Sequence, residues 1–318
     1  MRVAAYLTSA RASIMTAAAM VLLLLCPSTG AAQSQNPSPM VETTRAHERL
    51  ERSQPSGVYR TFPGPGERDV EVFVPSGFSP TAPVTLVVHF HGAAWIPEQA
   101  VAGLQANAVS AVINLGAGST RYDRAFGPPE AFAQLVDSIA RTVSWEVDAA
   151  VRIDTLVLTA FSAGHGAIRA ILRDPEHFAA VDAILLLDGM HTSYVPERQV
   201  LAEGGSLDES NLIAFAEFAR AAMAGQKRLL ITHSEIFPGT FASTTETADW
   251  LLDHLGLQRT ATLEWGPRGM QQLSVVSAGG FELLGYAGNS APDHVDHFHA
   301  MPELLARLLD GTRGQPRT

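Results

Sequence analysis

Residues 154–172 read DTLVLTAFSAGHGAIRAIL and contain two structural signals in succession. The first eight residues are mainly apolar and β-branched, which is typical of a buried strand, and the alanine-rich stretch after Gly166 is typical of a helix. Small residues between the two predict a sharp turn with Ser162 at its tip. Serine is also a favoured helix cap, so this stretch alone leaves two interpretations open, an exposed nucleophile and a capping residue.

The same alternation of strand and helix signals runs through the rest of the chain. Short apolar runs at 84–92, 110–116, 181–191 and 227–235 alternate with amphipathic segments. Such runs suit parallel strands that helices cover on both faces. The sequence therefore predicts a doubly wound, mostly parallel α/β fold in one domain over residues 57–318. A hairpin is predicted within 272–288, and residues 191–211 predict a modest loop over the sheet edge, with no large cap domain.

The N-terminal residues have the pattern of an export signal. Residues 1–32 carry Arg2 and Arg11, then an apolar run from Ile14 to Cys26, then small residues. This is typical of a secretory signal peptide, and the run is too short for a comfortable membrane span. Leu25 does not suit a lipid-modified cysteine at Cys26. We expect a secreted or periplasmic protein without a stable membrane span, in which residues 33–56 form a polar linker with a helical turn or two around 42–52.

Composition limits the range of partners. The formal net charge is −10 for the whole chain, and loss of residues 1–32 with their two arginines would make it −12. The single lysine is Lys227, and the chain has no basic block of the kind that binds phosphate backbones. Nucleic acid is therefore not an expected partner. The mature chain would contain no cysteine and hence no disulfide, and nothing in the sequence indicates an oligomeric state.

Polar residues follow several of the predicted strands directly. The segment His91–Trp95 ends one strand, Ser162 ends the next long one, and Asp188 ends the run AILLL. A histidine-rich segment, Asp293–His299, lies just before the last predicted helix. Because function gathers at the carboxyl ends of strands in an open parallel sheet, we expect these groups to meet there.

These features resemble the α/β-hydrolase superfamily, and serine esterases and lipases in particular, over residues 60–310. The nucleophile of that family lies on a strand-to-helix turn written G-x-S-x-G, and the triad follows in the order serine, acid, histidine. Residues 160–164 read AFSAG, with Ala160 in place of the first glycine. A methyl group is small enough for that position. The resemblance implies that Ser162 is the nucleophile, at a helix N-terminus where the dipole favours negative charge.

The resemblance also implies an oxyanion hole. Residues 89–95, HFHGAAW, are similar to the His-Gly oxyanion loop of esterases. By this likeness the backbone N–H groups of Ala93, Ala94 and Ala163 are the expected donors to the tetrahedral intermediate. The alternative is a tight strand exit built of small residues. His91 is expected to support this loop.

Two residues are candidates for the triad acid. The commoner arrangement in the family places the acid after the next-to-last strand, where Glu235 is the available carboxylate. Some lipases place it one strand earlier, which corresponds to Asp188. We favour Asp188, because it ends an apolar strand 26 residues after Ser162 and leaves room for one helix and one strand. An aspartate that caps a turn before glycine is the alternative.

Three histidines are candidates for the general base. In similar hydrolases the base precedes the final helix by several residues, and that helix is predicted to start near Pro302. This distance favours His294, with His297 as the alternative and His299 as too close.

Together these residues predict a secreted serine hydrolase that cleaves small or polymer-linked carboxylic esters through an acyl-enzyme. Trp95 and Phe161 are candidates to line the substrate pocket, and no cofactor or metal is expected. Two alternatives remain at this point. One is a non-catalytic binding protein on a hydrolase scaffold, and the other is a metal-dependent hydrolase that uses the cluster at 293–299, although this cluster lacks the H-E-x-x-H pattern.

Overall fold

A ten-stranded, mostly parallel β-sheet organises the chain in the computed structural model, which describes residues 46–310. The described residues contain ten strands in this sheet and two more, β7 and β8, in a separate small pair. The strands are β1 (Gly57–Pro63), β2 (Asp69–Pro75), β3 (Val84–Phe90), β4 (Ala108–Ile113), β5 (Ile153–Phe161), β6 (Ala183–Leu187), β7 (Tyr194–Val195), β8 (Ser206–Leu207), β9 (Arg228–His233), β10 (Thr260–Trp265), β11 (Gln271–Ala278) and β12 (Phe281–Tyr286). The large sheet has the order β1-β2-β4-β3-β5-β6-β9-β12-β11-β10. The six strands from β4 to β12 in this order are parallel, and antiparallel pairs flank them on both sides.

Helices cover both faces of this sheet. They are α1 (Trp95–Ala102), α2 (Ser119–Ala125), α3 (Pro129–Glu146), α4 (His165–Leu172), α5 (Pro175–Ala180), α6 (Ile213–Met223), α7 (Thr244–Leu255), α8 (Ala291–His299) and α9 (Met301–Asp310). Helices α3, α4, α6 and α7 contribute to one apolar core, and α1, α8 and α9 contribute to the other. The predicted doubly wound, mostly parallel α/β fold with helices on both faces is thus confirmed.

Strand β6 shows how the sequence produces two cores. Side chains of a strand alternate between its faces, so all five residues of the run AILLL are buried only if both faces are covered. Ile184 and Leu186 belong to the first core, and Ala183, Leu185 and Leu187 belong to the second. All five are at most 2% exposed. The apolar run of this strand is therefore continuous because helices cover both faces of the sheet.

Several local expectations can be compared with the structure. The hairpin within 272–288 is present as β11 and β12, and residues 191–211 carry only the small β7–β8 pair and short 3-10 turns. No large cap domain occurs among the described residues. The region 293–299, which was expected only to lie before the last helix, is itself helical and belongs to α8.

The N-terminal region also differs from expectation. Residues 46–56 of the predicted linker contain neither helix nor strand, so the helical turn expected around 42–52 is absent from its described part. These residues belong to the same compact unit as the sheet. The predicted signal peptide at 1–32, with Cys26, lies outside the described residues. Between residues 46 and 310, no helix has both the length and the apolar character that a membrane crossing requires.

Gly164 determines how closely the helix after Ser162 approaches the sheet. A Cβ atom at this position would lie 2.1 Å from the carbonyl oxygen of Phe90, at the end of β3. Real Cβ atoms do not approach an oxygen so closely, and this oxygen belongs to a rigid backbone. The residue two positions after Ser162 must therefore be glycine.

We predict that Gly164→Ala destabilises the fold by roughly 1–3 kcal/mol, since the added methyl group overpacks a backbone crossing. Urea-induced unfolding measures this change. The control is Gly103→Ala at the end of α1, where φ is −83° and the added Cβ has no neighbour closer than 3.5 Å. Equal stability of the two variants would contradict the prediction.

Candidate active site

Three neighbouring strands end in non-glycine residues with left-handed backbone conformation. These residues are His91 after β3 (φ 73°), Ser162 after β5 (φ 46°) and Asp188 after β6 (φ 44°). Residues other than glycine rarely adopt a positive φ. Such strained residues cluster at functional sites, where the surrounding structure holds them in place. Because β3, β5 and β6 are adjacent in the sheet, the three strained residues lie side by side at its carboxyl edge.

Ser162 stands at the start of a single 3-10 turn, Ser162–Gly164, which leads directly into α4. The residue is partly exposed, whereas Phe161 and Gly164 on either side of the turn are buried. Its backbone carbonyl accepts a hydrogen bond of 2.8 Å from Nδ1 of His165. The hydroxyl group makes no hydrogen bond with any described residue. Ser162 thus combines a strained backbone with a hydroxyl that is available to a ligand.

The loop after β6 packs directly against this turn. A Cβ atom on Gly189 would lie 2.8 Å from both the backbone nitrogen and the backbone oxygen of Ser162. Glycine at this position lets the Asp188 loop approach the serine backbone.

The Asp188 carboxylate is 2% exposed and accepts four hydrogen bonds. Oδ1 accepts from the backbone N–H of Ser234 (2.9 Å) and from the hydroxyl of Thr244 (2.5 Å). Oδ2 accepts from the hydroxyl of Ser234 (2.7 Å) and from Nδ1 of His294 (2.7 Å). An ionised carboxylate offers about four lone-pair sites, and here each has a donor.

These donors keep Asp188 ionised. Burial by itself would raise the pKa of the carboxyl group, but the nearby His297 and the hydrogen bonds from His294 and Thr244 outweigh it and hold the pKa well below its usual range. An acceptor that carries no proton fixes the tautomer of its partner. Nδ1 of His294 therefore carries the hydrogen, and Nε2 is left with a free lone pair.

His294 lies in the first turn of α8, and the sequence at 290–293 explains why the helix starts there. Ser290 is the N-cap and forms a reciprocal capping box with Asp293, and Pro292 follows within the first turn. The imidazole ring rests on the ring of Phe161, with centroids 4.6 Å apart. No hydrogen bond between Nε2 of His294 and the Ser162 hydroxyl occurs among the described residues.

The remaining acid and base candidates lie elsewhere. Glu235 is exposed, and its backbone N–H bonds to Gly288. His297 is buried with Nδ1 2.8 Å from the hydroxyl of Thr232, and His299 accepts the backbone N–H of Leu50 at 3.0 Å. His294, His297 and His299 thus face three different partners, whereas Asp293 and Asp296 of the same cluster lie close to His47.

The predicted oxyanion loop turns sharply after β3. Gly92 has a φ of 118°, and a Cβ there would lie 2.5 Å from the ring of Phe298 in α8. Ala93 and Ala94 follow at the start of α1, and Ala163 lies in the 3-10 turn of Ser162. The first N–H groups of a helix have no acceptor within the helix. This applies to Ala94, the N-cap of α1, and to Ala163 in its 3-10 turn, whereas Ala93 lies one residue before the cap. His91 bonds through Nδ1 to the hydroxyl of Tyr122 at 3.0 Å.

His89, within β3, supports this loop through a hydrogen bond to His91, a role that the sequence did not predict. It is fully buried in β3, and its Nε2 donates to the carbonyl oxygen of His91 at 2.7 Å, while Nδ1 lies 2.8 Å from the hydroxyl of Thr159. Thr159 is its direct neighbour in the β3–β5 register. The sequence did contain a signal for this pair, since each of the two adjacent strands has one of these polar residues within its apolar run.

The two predicted pocket residues lie mainly within the second core. Phe161 is 8% exposed, and its ring stacks against those of His91 and Phe298 at 5.8 and 4.9 Å. Trp95 meets the ring of His299 edge-on at 5.6 Å. The rings of both residues therefore pack against site histidines and α8, which leaves Phe161 little surface for a substrate.

Comparison with known proteins gives likenesses in structure alone. No protein-family model and no curated protein matches the sequence. The chain is similar to a feruloyl esterase module from Clostridium thermocellum complexed with sinapinate (12% identity, 81% of this chain and 95% of that chain, TM-score 0.43). It is also similar to a thermostable esterase (15%, 80% and 63%, TM-score 0.46) and to an arylesterase (14%, 81% and 86%, TM-score 0.42). Likeness at this level does not transfer an activity.

Buried histidines at the site make the stability of the fold dependent on pH. Burial lowers the pKa of His89 to about 3 and that of His165 to about 3, against about 6.5 in an unfolded chain. Below pH 6.5 the unfolded chain binds protons that the folded chain does not, so stability falls as the pH drops from about 6.5 towards 3.

We predict that between pH 7 and pH 5 the free energy of unfolding of His89→Gln falls by about 2 kcal/mol less than that of the wild type. The reason is that one such histidine contributes about 1.4 kcal/mol per pH unit well below its unfolded pKa. Urea unfolding at the two pH values measures the difference. The control is His254→Gln, which replaces an exposed histidine in the last turn of α7. A pH dependence of His89→Gln that matches the wild type would refute the assignment.

Proposed function

We propose that this chain is a serine hydrolase of carboxylic esters, with Ser162 as nucleophile, His294 as general base and Asp188 as the acid that orients it. The observation that carries the proposal is the 2.7 Å hydrogen bond between His294 and a buried, ionised Asp188 whose loop packs on the backbone of Ser162. A histidine held with its Nδ1 hydrogen on a carboxylate has Nε2 free to accept a proton. This is the arrangement that a triad requires.

In the proposed reaction, the Ser162 oxygen attacks the ester carbonyl carbon while Nε2 of His294 takes the hydroxyl proton. The carbonyl oxygen becomes an oxyanion, for which the N–H groups of Ala93, Ala94 and Ala163 are the proposed donors. Collapse of the intermediate breaks the bond to the alcohol oxygen, which receives the proton from His294. Water then attacks the acyl-enzyme, again with His294 as base, and the acid leaves with Ser162 restored.

The role of Asp188 follows from its surroundings. Its carboxylate stays ionised through the cycle because its pKa is held well below the usual range. It can therefore stabilise the imidazolium that forms on His294 without taking the proton itself. The hydrogen bond from Ser162 to His294 has still to form in this proposal, and such bonds often tighten only when substrate is bound.

The form of the site favours an accessible ester as substrate. Ser162 is partly exposed, and the described chain carries no large cap above it. An open site of this kind can accept an acyl group that is attached to a larger molecule. Together with the export signal predicted at 1–32, this supports a secreted or periplasmic esterase for small or polymer-linked esters.

We predict that Ser162→Ala lowers kcat for short-chain p-nitrophenyl esters on the order of 10⁶-fold, because the variant has no nucleophile. Steady-state hydrolysis by the two purified proteins measures this loss. A fluorophosphonate probe should label the wild type at Ser162 and leave the variant unlabelled. Full activity in the variant would exclude the mechanism, and an unlabelled, inactive wild type would favour the non-catalytic binding protein.

We further predict that Asp188→Asn lowers kcat about 10⁴-fold, because the amide no longer fixes the tautomer of His294. The matched control is Glu235→Gln, which neutralises the exposed alternative acid and should leave kcat unchanged. Rates with one ester under the same conditions decide between the two acids. A loss confined to Glu235→Gln would reverse the assignment.

A further inference from the structure

The segment formed by residues 46–53, which we call the N-terminal strap, has no helix or strand, yet it contacts two helices of the compact unit. His47 and Arg49 are partly buried, whereas Ala46 and Glu48 are exposed. The strap was expected to be a linker, yet one of its sides makes specific contacts.

Most of these contacts are with α8, the helix that carries His294. Nδ1 of His47 lies 2.7 Å from Oδ2 of Asp296, and Nη1 of Arg49 lies 3.0 Å from Oδ1 of the same carboxylate. Arg49 also donates through Nη2 to the carbonyl oxygen of Pro292 at 2.9 Å. The backbone N–H of Leu50 donates to Nδ1 of His299 at 3.0 Å.

The contacted residues form one stripe of α8, and the site residues form another. Residues three or four apart share a helix face. The stripe that meets the strap consists of Pro292, Asp296 and His299. The stripe that meets the site and the second core consists of His294, His297 and Phe298. Helix α8 is therefore clamped between the strap and the sheet.

Helix α8 depends on such contacts for its position. It has nine residues, and isolated helices of this length are marginal in water. Its Asp296 side chain is fully buried, so this carboxylate needs cationic or hydrogen-bonding partners. His47, Asp293 and Asp296 also approach one another closely enough to hold a metal ion, but the guanidinium of Arg49 already pairs with Asp296, so we interpret the group as an ion-pair network.

The strap also reaches α1, which begins directly after the predicted oxyanion loop. The backbone N–H of Ser53 donates to Oε1 of Gln99 at 2.7 Å, and Nε2 of Gln99 donates to the carbonyl oxygen of Glu51 at 3.0 Å. Leu50 packs against the same core as Trp95. One short segment thus holds both the base helix and the helix next to the oxyanion loop.

We propose that the N-terminal strap is a positioning element for catalysis, which holds α8 through the ion pair of Arg49 with Asp296 so that His294 stays on Asp188. This inference rests on the proposed function, because it assigns His294 as the base. A loosened α8 leaves Ser162 on its turn between β5 and α4 but displaces His294. We therefore expect loss of this contact to lower kcat and to leave KM unchanged, since a small displacement of a catalytic group can lower the rate up to about 100-fold.

The test compares Arg49→Ala with Arg52→Ala in the full chain. Arg52 is an exposed arginine of the same strap and makes no hydrogen bond or ion pair within the described chain, so it is the matched control. We expect Arg49→Ala to lower kcat about 10- to 100-fold with unchanged KM, and Arg49→Lys to recover part of this loss because it keeps the cation. Amide hydrogen exchange over 291–299 should be at least about ten-fold faster in Arg49→Ala than in Arg52→Ala.

The two readouts separate the failure of this inference from failure of the proposed function. If the wild type neither hydrolyses esters nor reacts with fluorophosphonate, the proposed function fails, and the exchange rates alone decide whether the strap holds α8. Equal exchange in Arg49→Ala and Arg52→Ala overturns the inference, as does faster exchange with unchanged kcat in an active enzyme. If Arg49→Ala does not fold, His47→Ala is compared with Arg52→Ala by the same measurements.

Discussion

The buried carboxylate of Asp188 is the group on which the geometry of the site depends. It draws donors from three separate parts of the chain, namely the loop after β9, the first residue of α7 and the first turn of α8. An ionised carboxylate at 2% exposure is stable only when its lone pairs are satisfied, so these elements have to converge on it. The convergence brings His294 to the edge of the sheet where Ser162 stands.

Close backbone approaches complete the arrangement. Because glycine has no Cβ atom, Gly164 can pack against the end of β3 and Gly189 against the turn of Ser162. Gly92 packs in the same way against the ring of Phe298. Each glycine brings together two elements that carry parts of the site. The stack of His91, Phe161 and Phe298 then connects the loop after β3, the turn of Ser162 and helix α8 through ring contacts. The site is thus built from packing as much as from its polar groups.

Much of this could be predicted from local patterns. The apolar runs predicted the buried parallel strands, and the small residues around Ser162 predicted the sharp turn. The pairing of Asp188 with His294 agrees with the preferred candidates. Helix α8 was not predicted, because nine residues rich in histidine and aspartate give little apolar periodicity. Ser234 and Thr244 carried no signal, since hydroxyl residues near strand and helix ends are common everywhere. The contacts of the strap were hidden for a similar reason, because a polar segment with little apolar periodicity resembles a linker.

The sequence by itself determined the alternation of strands and helices, the two apolar cores and the position of Ser162 on a strand-to-helix turn. These follow from periodicity and side-chain size, which act between near neighbours in the chain. Only the tertiary structure decided which histidine meets Asp188, since the two residues are 106 positions apart. It also decided that residues 46–53 clamp α8, across 249 positions between His47 and Asp296. Such choices depend on how a helix is rotated about its axis and on which buried charge needs a partner, and neither is written in a local pattern.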